Sequence, residues 1–368
     1  MQQTQHELDQ MYMRRCLQLA ANGRGSCTPN PMVGAVVVWN GQIIGEGWHQ
    51  KAGGPHAEPI AIRSVQQQER LSASTLYVNL EPCSHHGKTP PCVDLILEKK
   101  IPRVVVGSLD VFPLVAGRGV NRLIAAGVDV RVGVEWDACL ELNRRFFTYH
   151  AHKRPYVILK WAQTSDGFLD HVRAHGDAQL PLMISSPFMR VLTHRDRAEE
   201  DAILVGTRTA ILDNPKLNVR DWSGKNPIRV VLDRKRILST DLHLFDGSCP
   251  TLVFTEKACD PIPGVSFVPL DPNQETLPQV LKTLYERKCL SVLVEGGARM
   301  HESFLQSGLW DEIHVEVGPS EIGRGVAAPD LHGLNAHLVK EEQFGAGDRL
   351  RKRKIYRAPH SVIRLTDA

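Results

Sequence analysis

A histidine, two cysteines and a glutamate in the first hundred residues have the types and spacing for metal-assisted hydrolysis. One residue separates His56 from Glu58, and Cys83 and Cys92 follow after a predicted helix and strand. One imidazole and two thiolates can hold zinc tetrahedrally and leave a fourth position for water, whose pKa the ion lowers toward roughly 7. Glu58, at the start of a helix, can then take the proton of that water and deliver it to a departing amine. The arrangement is typical of hydrolytic zinc deaminases.

The elements around these residues favour that interpretation. Residues 75–80 read as a buried strand, and Glu81-Pro82-Cys83 ends it where a helix N-terminus can favour a thiolate. A His-x-Glu pair by itself is commonly accidental. The eight residues between Cys83 and Cys92 depart from the short C-x-x-C of the general signature, so the residues alone leave the third ligand open.

The length and charge of the chain bound its architecture and its partners. A chain of 368 residues fits two domains of ordinary size, each with a sizeable core. The 44 basic and 41 acidic side chains give a net charge of +3, which is too even a balance for a nucleic-acid or membrane surface. We therefore expect a small-molecule substrate.

The distribution of cysteines and apolar residues indicates the compartment. Eight cysteines are scattered along the chain, and the first residues lack the basic and apolar regions of a signal peptide. No apolar run approaches the roughly 18 residues that span a bilayer. We expect a cytoplasmic protein with no membrane partner.

The first half of the chain alternates helices and strands. Leu8, Tyr12, Cys16 and Ala20 recur at helical spacing, and Asn40-Gly41 predicts a hairpin turn between two strands. Further helices are predicted to begin near 58 and to cover 93–100 and 120–126, with strands at 75–80, 103–107 and 128–132. Such alternation indicates helices on a mostly parallel sheet, with the zinc residues at helix starts beside the sheet ends.

A second α/β domain is predicted after the charged stretch that Pro155 closes. Its strands are expected at 156–162, 202–205, 228–233, 251–255, 291–294 and 312–317, and its helices near 187–198, 276–288 and 300–307. We place the domain boundary between residues 150 and 151.

Two segments of this second half suggest a nucleotide site. The sequence lacks G-x-G-x-x-G, so this site is not of the Rossmann type. A strand runs through Glu295, Gly296 and Gly297 into a helix, which leaves backbone N–H groups free to receive a phosphate. A tight turn is the commoner explanation of two such glycines. The second segment contains Asp213-Asn-Pro215, which can also be a simple capped turn.

Taken together, these motifs resemble the bifunctional deaminase/reductase family of riboflavin biosynthesis, over nearly the whole chain and in the same order. The deaminase-like motifs are Thr28-Pro-Asn-Pro-Met-Val-Gly34, Gly53-Gly-Pro-His-Ala-Glu58, Asn79-Leu-Glu-Pro-Cys-Ser-His-His-Gly-Lys-Thr-Pro-Pro-Cys92 and Ala116-Gly-Arg-Gly119. The reductase-like motifs are Lys160-Trp-Ala-Gln-Thr-Ser-Asp-Gly167, Leu212-Asp-Asn-Pro-Lys-Leu217, Pro227-Ile-Arg-Val-Val-Leu-Asp233 and Val294-Glu-Gly-Gly297.

The resemblance implies the fold, the cofactors and the reaction. It implies a cytidine-deaminase-like three-layer α/β domain over 1–150 and a dihydrofolate-reductase-like α/β domain over 151–368. The eight-residue gap is usual in that family, so Cys92 completes the ligands of one Zn2+ per chain, and NADPH is the hydride donor. The substrate is 2,5-diamino-6-ribosylamino-4(3H)-pyrimidinone 5′-phosphate, whose ring amine is hydrolysed before its ribosyl group is reduced to ribityl at C1′.

The resemblance also implies residue roles. The deaminase substrate would contact Asn30, His49, His85 and Lys88, with Lys88 a natural partner for its phosphate. NADPH would lie along Ala162, Thr209, Asp213, Gly297, Ala298, Arg299, Met300, His301, Glu302 and Ser303. The reductase substrate would face Arg197, Leu217, Arg220 and Glu295, where the two guanidinium groups suit a phosphate.

Two positions depart from the family pattern. Phe112 stands where a polar residue is common, and Met183 stands where tryptophan is expected. A zinc-only nucleoside or tRNA deaminase with a non-catalytic second domain is the alternative, and a non-catalytic scaffold with a structural zinc is a further one. An RNA deaminase should present aromatic side chains on which bases stack, and aromatic residues make up 6% of this chain, which argues against an RNA substrate. We expect no nucleic-acid partner, and self-association into a homo-oligomer.

Overall fold

The computed structural model describes residues 4–85, 90–110, 117–173 and 180–359. The chain divides into two units, Met1–His152 and Lys153–Ala368. In the described ranges, no helix combines the length and hydrophobicity that crossing a membrane requires.

The first unit is built on a mixed five-stranded sheet. Its helices are α1 (Gln5–Ala21), α2 (Ala57–Ser64), α3 (Cys92–Glu98), α4 (Arg118–Ala125), α5 (Trp136–Leu142) and α6 (Arg144–His152). Its strands are β1 (Gly34–Trp39), β2 (Gln42–Trp48), β3 (Thr75–Leu80), β4 (Arg103–Ser108) and β5 (Asp129–Val132). The order is β2-β1-β3-β4-β5, in which β3, β4 and β5 are parallel and β1 is antiparallel to both of its neighbours.

The predicted hairpin is confirmed at Asn40 and Gly41. Both residues have positive φ, 48° and 73°, as a type I′ turn requires. The turn brings Trp39 opposite Gln42 in the β1–β2 ladder. The predicted strands of this unit are confirmed to within a residue, whereas α5 and α6 lie in a segment for which no helix was predicted.

Helices cover both faces of this sheet, which gives three layers. On one face, residues of α2, α3 and α4 pack with Val37, Val78 and Val106. On the other face, Tyr12, Met13 and other residues of α1 pack with Val36, Tyr77 and Val105. Successive side chains of a strand point to opposite faces, so one run of valines serves both cores.

The second unit contains a nine-stranded sheet. Its strands are β6 (Tyr156–Gln163), β8 (Ala202–Gly206), β9 (Ile228–Leu232), β10 (Thr251–Thr255), β11 (Val265–Pro269), β12 (Ser291–Val294), β13 (Glu312–Val317), β15 (His337–Phe344) and β16 (Arg351–Arg357), while β7 (Phe168–Asp170) and β14 (Val326–Ala327) pair separately. Its helices are α7 (Pro187–Glu199), α8 (Thr207–Asp213), α9 (Thr276–Glu286) and α10 (Ala298–Ser307).

The order of this sheet is β11-β10-β9-β8-β12-β6-β13-β16-β15. All strands from β11 to β13 are parallel, and the C-terminal pair β16 and β15 adds an antiparallel edge. Apolar cores cover both faces, one around Leu204, Val292 and Phe304 and the other around Val205, Val231 and Leu244. The predicted strands and the three predicted helices are confirmed, whereas α8 and the C-terminal strands were not predicted.

Candidate active sites

His56, Cys83 and Cys92 come together at one end of the first sheet. His56 immediately precedes α2, Cys83 follows β3, and Cys92 is the first residue of α3. The imidazole Nδ1 of His56 lies 3.5 Å from the Sγ of Cys83 and 3.4 Å from the Sγ of Cys92. Among the described residues, these three form the group of possible metal ligands whose ligand atoms all lie within 4.8 Å of one another.

These separations fit a tetrahedral ion. Zinc at its usual distances from nitrogen and thiolate sulfur places two such ligands about 3.5 Å apart. Two sulfurs and one nitrogen are also the donor set that zinc prefers, and three protein ligands leave a coordination position open, as catalytic zinc sites do. The residues therefore fit zinc, and they fit a catalytic site better than a structural one.

The electrostatics of the cluster favour a cation. The backbone N–H of Cys92 donates to the sulfur of Cys83 at 3.3 Å, which stabilises a thiolate. Hydrogen bonds from Cys92 and His56 lower the pKa of Cys83, and the thiolate of Cys83 in turn raises the pKa of His56 to about 9. Negative charge is thus concentrated on the sulfur of Cys83, whereas the hydrogen bond to that thiolate and burial raise the pKa of Cys92.

Glu58 lies beside this cluster in the first turn of α2 and is 3% exposed. Burial, and then the nearby Cys83 thiolate, raise the pKa of its carboxyl to about 7. A carboxyl with a pKa near neutrality can both take and release a proton, as general acid/base catalysis requires.

Asn30 and His49 are held together next to the cluster. The Nδ2 of Asn30 donates to the Nε2 of His49 at 3.0 Å, and the His49 Nδ1–H donates to the carbonyl of Pro55 at 2.8 Å. Burial lowers the pKa of His49, so the ring is neutral and can accept from Asn30. The His49 ring meets the His56 ring edge-on at 5.8 Å. Contact of Asn30 and His49 with substrate stays a prediction.

Two buried asparagines that the sequence analysis did not select hold the segment that follows Asn30. The Oδ1 of Asn143 accepts from the N–H of Met32 at 2.8 Å, and its Nδ2 donates to the Met32 carbonyl at 2.9 Å. Asn79 accepts from the N–H of Gly34 at 2.7 Å and donates to the Met32 carbonyl. Asn79 lies in the motif that ends at Cys92, but no sequence pattern links Asn143 to Met32, 111 positions earlier.

Glu81 is a further residue whose role the sequence did not show. Its buried carboxylate accepts from the backbone N–H groups of Gly119 at 2.8 Å and Gly117 at 2.9 Å, and also from those of Val120 and Asp110. A Cβ on Gly119 would lie 2.2 Å from the Pro82 carbonyl oxygen, so only glycine allows this close approach. Glu81 therefore fixes the start of α4 against the segment that carries Cys83.

Three other residues of the deaminase half were named from the sequence. His85 is exposed. Lys88 and Phe112 lie outside the described residues, so their predicted roles stay predictions.

In the second unit, the structure brings Arg197 and Glu295 together. Arg197 in α7 donates Nε–H and Nη2–H to the two carboxylate oxygens of Glu295, at 2.9 and 2.6 Å, and Nη1–H to the Asn218 carbonyl at 3.2 Å. Burial opposes ionisation of Glu295, but Arg197 outweighs it and keeps the pKa of that carboxyl below its usual value. Both residues were predicted to face the substrate.

Several of the predicted cofactor residues lie near the carboxyl ends of adjacent parallel strands. Helix α8 starts directly after β8, and α10 starts three residues after the neighbouring strand β12. A Cβ on Gly297 would lie 3.3 Å from the Oγ1 of Thr209, so the start of α10 lies close to α8. Ala162 is near the same end of β6, on the other side of β12. In open α/β sheets, this edge is where ligands usually bind.

The side chains of α10 are not equally accessible for a cofactor. Gly297, Arg299, Glu302 and Ser303 are exposed, and Ala298 and Met300 are half-buried. His301 is fully buried against the ring of Trp161, and burial lowers its pKa to about 4. Its direct contact with NADPH stays a prediction.

Asp213, Leu217 and Arg220 occupy different environments. Asp213 accepts from Arg173 at 2.5 Å, and Arg173 also donates to Asp170. The Leu217 side chain is buried in an apolar core, although its φ of 46° is unusual for leucine. Arg220 is half exposed. Met183, at the position of the expected tryptophan, is 64% exposed.

The first unit combines three zinc-ligating side chains with a buried glutamate, which defines a zinc deaminase. The second unit has a parallel α/β sheet with a ligand-binding edge, which defines an enzyme domain that binds a nucleotide. Comparison with known proteins agrees with this class. Residues 6–108 match the cytidine and deoxycytidylate deaminase zinc-binding region, and residues 155–355 match the RibD C-terminal domain.

The full-length relatives share both halves. Riboflavin biosynthesis protein RibD of Aquifex aeolicus is 41% identical over 352 residues, which are 92% of this chain and 96% of that protein. The Synechocystis protein of the same name is 41% identical over 327 residues, 87% of each chain. The crystal structure of a diaminohydroxyphosphoribosylaminopyrimidine deaminase/5-amino-6-(5-phosphoribosylamino)uracil reductase from Thermotoga maritima superimposes with a TM-score of 0.86 at 37% identity, covering 96% of this chain and all of that one.

The chain belongs to the RibD family of riboflavin biosynthesis proteins. It is a bifunctional enzyme with a zinc-dependent deaminase and an NADPH-dependent reductase, and its two folds are those that the resemblance implied. The alternative of a zinc-only deaminase with a non-catalytic second domain is not favoured, because the second unit matches the RibD C-terminal domain.

Proposed function

We propose that His56, Cys83 and Cys92 hold the zinc ion and that Glu58 carries protons in the deamination of 2,5-diamino-6-ribosylamino-4(3H)-pyrimidinone 5′-phosphate. The observation that carries this proposal is the convergence of three ligand atoms within 4.8 Å beside a buried carboxyl. Bound zinc supplies the Lewis acidity that makes water a nucleophile near neutral pH.

The chain's own groups supply the proton transfers and the orientation. Glu58 takes a proton from the attacking water and gives a proton to the amine, which leaves as ammonia while the ring carbon gains oxygen. Asn30, whose amide is oriented by His49, faces the pyrimidine. His85 and Lys88 complete the contacts, and Lys88 pairs with the phosphate.

In the second unit, the carboxyl ends of β6, β8 and β12 would form the NADPH site. Ala162, Thr209, Asp213 and residues 297–303 would hold the cofactor, which when bound would supply the hydride for C1′ of the substrate. Arg197, Leu217, Arg220 and Glu295 face the deaminated ribosylamine phosphate. The pairing of Arg197 with Glu295 supports this assignment, because it places a donor fork and a carboxylate together at the end of β12.

The chain-level features of the proposal follow from its composition and organisation. Residues 1–150 form the deaminase domain and residues 151–368 the reductase domain. The even charge balance supports a small-molecule enzyme without nucleic-acid or membrane partners. We place it in the cytoplasm as a homo-oligomer.

Substitution of Cys92 by serine tests the metal ligands. Because serine is a poor zinc ligand, Cys92→Ser should lose most bound zinc and all deamination, as metal analysis and ammonia release will show. Cys259→Ser, the same change at a half-buried cysteine of the second unit, is the control and should keep both. Full zinc occupancy in Cys92→Ser would remove Cys92 from the ligand set.

Substitution of Gly297 by valine tests the cofactor site. The side chain would lie against Thr209 and cover backbone N–H groups at the start of α10, so NADPH affinity should fall while deamination is unchanged. Gln306→Val puts the same β-branched residue on the exposed face of α10 and should leave NADPH affinity intact. Normal NADPH binding by Gly297→Val would refute the assigned site.

A further inference from the structure

Helix α7 is tied to the sheet by a buried charged network at the residue next to Arg197. Asp196 accepts a short hydrogen bond from the Nη2–H of Arg353, a residue of the C-terminal strand β16. Arg353 is 3% exposed, and its Nη2 also lies 3.2 Å from the Nδ1 of His314. The other nitrogen of His314 lies 2.5 Å from Glu312, which accepts from the hydroxyl of Tyr156 at 2.9 Å.

The same helix makes polar contacts along its other inward positions. Thr193 donates to Glu316 at 3.3 Å, and the N–H of Arg220 donates to the Nδ1 of His194 at 3.3 Å. Residues 193–197 of α7 therefore contact four parts of the unit. These are strand β13, the loop that carries Arg220, strand β16 and, through Arg197, the end of β12. Asp196 and Arg197 are consecutive, so they restrain the rotation of the helix from two directions.

A buried ion pair of this kind is weak evidence of stabilisation. The cost of removing two charges from water commonly cancels their attraction, and an apolar pair of similar volume is often as stable. A directional pair has a different effect from an apolar one, because its hydrogen bonds fix orientation. The network is therefore better suited to setting the position of α7 than to holding the unit folded.

We propose that Arg353 and Asp196 are positioning residues of the reductase, which hold α7 so that Arg197 presents its guanidinium to the substrate. The C-terminal strand β16 thereby becomes part of the reductase site although none of its residues was assigned to that site. This inference rests on the proposed role of Arg197.

Steady-state kinetics of the full-length enzyme separate positioning from stability. In Arg353→Met and Asp196→Asn, KM for the deaminated ribosylamine phosphate should rise about 10- to 100-fold, as expected when a binding group is displaced by about 1 Å. The Kd of NADPH and the rate of deamination should stay unchanged. Lys352→Met removes a charge from the exposed face of the same strand and should leave all three values unchanged.

A double variant decides the question if the single variants do not fold. Asp196→Leu with Arg353→Met replaces the pair by apolar groups, so the protein should recover its Tm while KM stays raised. A wild-type KM in any folded single variant or in the double variant would overturn the proposal. So would a parallel loss of NADPH affinity, kcat and Tm, which would indicate a role in stability alone.

The variant Arg197→Ala distinguishes failure of this inference from failure of the proposed function. If Arg197→Ala leaves KM unchanged, Arg197 does not contact substrate and the proposed function of that residue fails. If Arg197→Ala raises KM and the Arg353 and Asp196 variants do not, only the positioning inference fails.

Discussion

At the scale of single residues, Glu58 combines burial with a negatively charged neighbour, and these two effects set its chemistry. Replacing it by glutamine keeps the size of the side chain but removes the carboxyl group that can take and release a proton. Glu58→Gln should keep zinc and lower deamination by about 10²–10⁴ or more, the usual range for a general acid/base group. Metal content and ammonia release measure the two effects.

The control for this substitution is Glu69→Gln, the same change at an exposed position of the same unit. It should leave both zinc and deamination unchanged, and reduction should be normal in both variants. Near-normal ammonia release by Glu58→Gln would show that another group carries the protons.

Asp196 gives a prediction for acid stability. Burial raises its pKa, but His314 and Arg353, with Arg195 also nearby, outweigh burial and lower it to about 2 from 3.8. A carboxyl with a depressed native pKa stabilises the fold above its unfolded pKa, and that stabilisation is lost as pH falls through the folded pKa. The wild type should therefore lose roughly 2 kcal/mol from this group between pH 5 and 2.

Urea unfolding at several pH values will test this prediction. The difference in unfolding free energy between the wild type and Asp196→Asn should shrink as pH falls from 5 toward 2. A difference that is independent of pH in that range would mean that folding does not lower the pKa of Asp196.

Residues with distinctive chemistry were predictable from sequence, and residues that act through geometry were not. The types and spacing of His56 and Cys83 predicted metal binding, whereas Cys92 was added by the family resemblance, because eight residues separate it from Cys83. Arg353 and Asp196 are 157 positions apart and belong to no motif. Only the fold shows that they meet.

At the scale of elements, the start of α4 depends on one carboxylate. Each oxygen of Glu81 accepts from two backbone N–H groups, so a glutamine amide would point an N–H at two other donors. Glu81→Gln should destabilise the first unit by about 1–3 kcal/mol and lower its zinc affinity. Thermal unfolding and competition with a chelator are the measurements.

Glu98→Gln, at a side chain that is 66% exposed, is the matched control and should change stability by less than about 0.5 kcal/mol. Equal stability of the two variants would show that the contacts of Glu81 do not hold α4. Wild-type zinc affinity in a destabilised Glu81→Gln would show that the zinc site does not depend on the start of α4.

Elements with local sequence signals were predicted, and those that depend on distant partners were missed. Asn40-Gly41 determines its hairpin within two residues, because both can adopt positive φ. Strand β15 has no such signal, since it is largely exposed and carries Lys340, Glu341 and Glu342. Charged residues are common on edge strands, where they discourage pairing with other chains, and they hide the strand from pattern analysis.

At the scale of the whole molecule, each described apolar cluster lies within one unit. A fragment that starts at residue 152 should therefore fold and oxidise NADPH when given the deaminated ribosylamine phosphate. The fragment 1–152 should bind zinc and release ammonia from the diaminopyrimidinone. Circular dichroism and the two activity assays check both outcomes.

The full-length enzyme is the control for the two fragments. If the C-terminal fragment folds but neither binds NADPH nor reduces the substrate, the reductase assignment of residues 151–368 is wrong. If either fragment fails to fold, the units are not independent.

The order of strands in the second sheet has a consequence for synthesis. Strand β6 lies between β12 and β13, and Glu312 of β13 follows Tyr156 of β6 by 156 residues. At about 5–20 residues per second, β6 leaves the ribosome roughly 8–30 s before its last neighbour is made. Its apolar side chains are exposed to other chains and to chaperones during that interval. In the first unit, β1 pairs with β2 across a two-residue turn and with β3, where Ala35 lies opposite Val78, so its partners follow much sooner. The nascent enzyme should therefore acquire its deaminase well before its reductase.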